Sequence, residues 1–130
     1  MTELSFAQGA RCSRHQDSPH FMIFCGTCRR IYNERVIVHK VVTKLLSAGY
    51  ELQVQDYEDK PKFYKTPKKI LDQIFDLDQA VVYARCSTQK SWSWVEFIRG
   101  NANGEDVIHD YTLDLSHVLD PIVDWVAGRS

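Results

Sequence analysis

The chain has 130 residues, 44% of them hydrophobic and 25% charged, and a formal net charge of −1. These are globular proportions, and the length fits one domain with or without a small appendage, which excludes a disordered or fibrous chain. No apolar run is long enough to cross a bilayer, and the opening "MTELSFAQGARCSRH" lacks the apolar centre of a signal peptide, so a cytoplasmic protein with no membrane partner is expected.

The charge is unevenly spread. Residues 1–50 hold seven Lys/Arg and three acids, whereas the rest holds nine Lys/Arg and fourteen acids. Such a division suggests two surfaces with different partners.

The first thirty residues carry the most chemistry. Cys12-x2-His15 is followed by Cys25-x2-Cys28. A two-residue gap lets both side chains of a tight turn reach one ion, and two such pairs make a closed Cys3His zinc site. The segment has few large apolar residues beyond "HFMIF", so a metal would supply stabilisation that local burial cannot. A closed site leaves no position for water, so the expected zinc is structural rather than catalytic. His20 competes with His15 as the fourth ligand. The other reading is a redox pair, because an apolar strand, CxxC and a helix form a thioredoxin-like context. No convincing parallel βαβ unit accompanies it, and it leaves Cys12 and His15 without a role. The "CxxH…FCGTC" pattern resembles half of a zinc ribbon or a B-box-type knuckle, which implies a binding role.

A helix is expected next, capped by Asn33 with Glu34 in its first turn. Val38, Val41, Val42, Leu45 and Leu46 recur at helical spacing, and Gly49 suits a C-terminal stop. "YELQVQDYE" alternates as a strand, and "KFYK" reads as its hairpin partner. Thr66-Pro67 then opens "PKKILDQIFDLD", whose Ile70, Leu71, Ile74, Phe75 and Leu77 would face inward. "QAVVYARC", "SWSWVEFIRG" and "DVIHDYT" read as strands, with Asn103-Gly104 turning between the last two. In the final helix Leu115, Val118, Leu119, Ile122, Trp125 and Val126 would face the sheet, and Pro121 would kink it or start its last turns. The expected fold is therefore α+β: an antiparallel sheet of about five strands with two to three helices on one face. A zinc knuckle over residues 1–32 would pack on a domain over 33–130.

"LLSAGYELQVQDYED", "SWVEFIRGN" and "GEDVIHDYTLDL" resemble segments of small uncharacterised phage and prophage proteins. In those, an SWV-x-F-x-x-GN segment precedes D-V-I-x-D-Y-T and a final helix. The resemblance covers Leu45 to Val126 and departs at Glu96-Phe97-Ile98-Arg99 and the longer "NANG" turn. It implies a mobile-element origin and a bacterial host cell, and it carries over no functional residue.

Several side chains compete for a role. Arg11, Arg14, Arg29, Arg30 and Arg35 surround the knuckle and could meet phosphates. Asp56, Glu58, Asp59, Asp72 and Asp76 make an acidic run, read as a solvated face or as a dock for a basic partner. Trp92 and Trp94 share one face, which could stack bases but is expected to fill the core. Asp106, His109 and Asp110 cluster in sequence, yet alternation would send His109 and Asp110 to opposite faces. His39 and His117 are expected at the surface, and Cys86 as a small buried residue. The leading expectation is a non-enzymatic zinc-containing adaptor that binds a host or phage protein and modulates a host or defence machine. The alternative is a nucleic-acid-binding accessory protein using the arginines, and the third reading is a metal-dependent hydrolase or nuclease.

Overall fold

The computed structural model describes residues 26–55, 62–86, 92–100 and 104–129. Cys12, His15, His20, Cys25, Arg11 and Arg14 lie outside these residues, as do Asp56, Glu58 and Asp59.

Helix α1 spans Gly26–Ser47. It begins before the expected Asn33 cap, so Asn33 lies inside the helix and the helix runs across position 32/33. Arg29 and Arg30 are good helix formers, and the Arg30–Glu34 pair at i,i+4 supports the turns leading into Asn33. The buried stripe is Ile37, Val38, Val41, Val42 and Leu45. The helix stops where its sequence asks it to. Gly49 has φ +96°, its amide donates to Leu46 O, and the Tyr50 amide donates to Leu45 O. Those two bonds are a Schellman motif, which needs the left-handed residue that glycine supplies without strain.

Strand β1 is Glu51–Val54, helix α2 Pro67–Phe75, β2 Gln79–Arg85, β3 Ser93–Ile98 and β4 Ile108–Tyr111. A short 3-10 turn, Leu113–Leu115, leads into α3, Ser116–Arg129. Pro121 lies within α3, in its second turn, where the missing amide costs the helix one bond. Pro67 occupies the start of α2, and Thr66 sits in the extended cap conformation without a side-chain capping bond.

The four strands form an antiparallel meander in chain order, β1-β2-β3-β4. "KFYK" adds one bridge, in which Leu52 and Tyr64 exchange backbone hydrogen bonds of 3.0 and 2.7 Å. It does not extend into a fifth strand among the described residues. Pro61 and Pro67 flank it in sequence and cannot donate to a ladder.

One face of the sheet is buried through Leu52, Val54, Ala80, Val82, Ala84, Val95 and Phe97. These residues share a single core with the stripes of the three described helices: Ile37 to Leu45, Ile70 and Ile74, and Leu119, Ile122 and Val126. Helix α1 touches both α2 and α3 and so lies between them. The described residues form an α+β fold, with three helices on one face of the sheet and the second sheet face turned outward. No described helix is long and apolar enough to cross a membrane.

Candidate functional site

Three regions concentrate functional side chains. The first is the end of α1 that carries the expected knuckle's last ligand. Cys28 sits in its first turn and is fully buried. Its thiolate is a suitable donor type for the Cys3His set.

Beside it is an arginine node. Arg30 Nη1 donates to both carboxylate oxygens of Glu34 at 3.3 Å. The Gly100 amide donates to Glu34 Oε2 at 2.6 Å, and Arg99 Nε lies 3.7 Å from Oε1. Arg99 Nη1 donates to the carbonyls of Phe75 (2.6 Å) and Leu77 (3.1 Å), closing the end of α2. The Arg35 guanidinium stacks on the Phe75 ring at 4.3 Å. Burial lowers the Arg35 pKa, and Arg99 lowers it further, against the opposing charge of Asp72. Of the three described knuckle arginines, Arg30 and Arg35 are thus engaged within the fold, while Arg29 is exposed. Asp72 and Asp76 are exposed on α2 and its cap.

The second region is the outward face of the sheet. Ser93, Val95 and Phe97 point inward, so Trp94, Glu96 and Ile98 point outward. Trp92 precedes the strand and is 54% exposed. Neither tryptophan fills the core beneath a helix, contrary to expectation, because Ser93 and Val95 take the inward phase. Trp92 meets Tyr83 edge-on at 5.6 Å and Phe63 at 5.1 Å. The Arg85 guanidinium lies 4.0 Å from the Phe63 ring centre. Tyr83 and Trp94 are direct cross-strand partners. Glu51 holds Arg85 at 3.0 Å and Lys65 at 3.7 Å, and the Arg85 hydrogen bond keeps the Glu51 pKa below its ordinary value. Phe63, Tyr83 and Arg85 were not among the expected site residues. The alternation of "QAVVYAR" puts Tyr83 and Arg85 on one face and was the available signal for those two.

A bulge alters the expectation for His109 and Asp110. Phe97 pairs with Ile108 and Glu96 with Asp110, so His109 is the extra residue. Asp110 lies opposite Glu96, and His109 Nε2 is 3.7 Å from Glu96 Oε1. Both therefore gather at Glu96, where Gln79 also donates at 2.5 Å. No group of three His, Cys, Asp or Glu placed to hold a metal occurs among the described residues.

The third region lies between β4 and α3. Tyr111 OH donates to Asp120 at 2.5 Å. Ser93 Oγ donates to Asp114. An open cleft of about 220 Å³ is lined by Glu105, Asp106, Ile108, Val123, Val126 and Ala127.

The fold and these regions define an α+β protein with an exposed aromatic sheet face. Comparison with known proteins finds no matching family, curated protein or solved structure.

Proposed function

We propose that the chain is a non-catalytic adaptor that holds a host or phage protein on the open face of its sheet. The observation that carries the reading is the exposed Trp92 with Tyr83, Phe63 and Arg85 packed around it. Tryptophan, tyrosine and arginine dominate the energetics of protein interfaces, and a soluble domain exposes such a cluster at a contact surface. The sequence resemblance to phage proteins supports a partner inside a bacterial cell. In this account a structural zinc, held by Cys12, Cys25, Cys28 and either His15 or His20, fastens the N-terminal segment to α1.

The nucleic-acid reading retains one favourable observation, the outward tryptophans, since aromatic rings on a sheet can stack bases. The charges of that face oppose it. Arg85 and Lys65 are both bound to Glu51, and Glu96 and Asp110 add further negative charge. Phosphate binding needs an excess of cations.

Affinity purification from host extract tests the proposal. One protein retained at high salt by the wild type and lost with both Trp92→Ala and Arg85→Ala is the expected result. Steeply salt-dependent binding of single-stranded oligonucleotides that quenches tryptophan fluorescence, with no such protein, would overturn it.

A further inference from the structure

The cleft between β4 and α3 has a chemistry distinct from the aromatic face. Its floor is aliphatic: Ile108, Val126 and the 38% exposed Val123. The strand beside it is the outer strand of the sheet. The rim is acidic. Two of the residues that line it are carboxylates, and none of them is Lys or Arg. Glu105 and Asp106 line the cleft itself. Asp110, Asp120 and Asp124 act on Tyr111, at the other end of β4, and lie outside the lining. A described cation near α3 is Lys40, stacked on Trp125.

The rim charge selects among occupants. A second copy docking through the same face would bring its own carboxylates against these, and a nucleic acid or an anionic membrane would be repelled. A cationic segment gains both long-range attraction and a place for an aliphatic side chain. We propose that this cleft is a second docking surface, for a lysine- or arginine-rich segment of a partner protein carrying an aliphatic anchor. The protein then holds two partners of different chemistry, one on the aromatic face and one at the acidic cleft.

The full chain is titrated with a fluorescent peptide of alternating lysine and leucine, alongside lysine–serine and glutamate–leucine peptides. The lysine–leucine peptide is expected to bind at one site, at least tenfold tighter than either control. Glu105→Gln with Asp106→Asn should weaken it about tenfold and flatten its salt dependence, and Val123→Ser should weaken it several-fold. Asp72→Asn with Asp76→Asn, on α2, and Trp92→Ala should leave it unchanged. Equal loss with the α2 variants would show non-specific charge attraction and overturn the proposal. So would equal affinity for lysine–serine, loss with Trp92→Ala, or a dimer in sedimentation velocity that Val123→Ser dissolves.

Discussion

Glu34 accepts the backbone amide of Gly100 at 2.6 Å, joining the first described helix to the end of β3 across 66 positions of sequence. The carboxylate is 1% exposed, and Arg30 and Arg99 flank it. Removing it leaves the Arg30 guanidinium and the Gly100 amide short of their acceptor and takes the counter-charge from Arg99. Glu34→Ala is expected to cost about 3–5 kcal/mol, the usual cost of breaking a buried charged pair from one side. Glu34→Gln keeps one acceptor oxygen and should lose less. Urea unfolding checks both, and equal losses would mean that the charge carries the whole contribution and the retained acceptor oxygen none.

Gly104 shows how closely that loop approaches the helix. A Cβ there would lie 2.4 Å from the Arg30 carbonyl oxygen, and φ is +89°. Gly49 has a similar φ, but a Cβ there meets nothing within 4 Å. Gly49→Ala should cost about 1 kcal/mol, the conformational penalty alone. Gly104→Ala should cost roughly 1–3 kcal/mol more, because backbone must move. Thermal unfolding of the two variants side by side separates strain from collision.

His39 and Asp114 are among the groups that shape the acid limb of stability. Burial holds the His39 pKa below its ordinary 6.5. The unfolded chain takes up that proton first, so stability is full above pH 6.5 and falls as pH drops below it. Asp114 accepts from Ser93 and Thr112, which hold its pKa below 3.8. Its contribution is present above that pH and is lost as pH falls through the folded value. Unfolding midpoints measured from about pH 7.5 to about pH 5 should decline, and His39→Gln should flatten that decline.

Tyr111 sets an alkaline limb. Burial, the hydrogen bond to Asp120 and neighbouring carboxylates push its pKa from 10.0 up to about 12. The folded value is the higher one, so its stabilisation is complete below pH 10 and is lost as pH rises through about 12. Ultraviolet titration should show a late-titrating component that is lost in Tyr111→Phe and shifted down in Asp120→Asn.

The proposed zinc has its own signature. One zinc per chain should be released by a chelator, and it should be missing from Cys12→Ser and Cys28→Ser but retained in Cys86→Ser. A metal-free protein with a Cys25–Cys28 disulfide would contradict it.

Much of the architecture was legible because local rules and packing agree. Gly49 ends α1 as its position suggests, and the alternating runs around Tyr50, Val82 and Val95 became β1, β2 and β3. The α2 and α3 stripes face the core as read. The errors have specific causes. Asn33 is a good cap residue, but the Arg30–Glu34 spacing carries the helix past it. Period-two spacing puts Trp92 and Trp94 on one face without saying which, and the inward packing of Ser93, Val95 and Phe97 decides it. One extra residue, His109, reverses the expected parting of His109 and Asp110. The Glu34–Gly100 contact joins segments 66 positions apart, where no local pattern reports it, and the cleft depends on how α3 folds back beside β4.

Site-specific photo-crosslinking tests the central claim most directly. A benzoyl-phenylalanine placed at Trp92 in living host cells should give one protease-sensitive protein adduct. The same residue at Asp72 should not give it, and Arg85→Ala should suppress it. A nuclease-sensitive adduct at position 92, or identical adducts from both positions, would contradict the assignment of the aromatic face as a protein-binding surface.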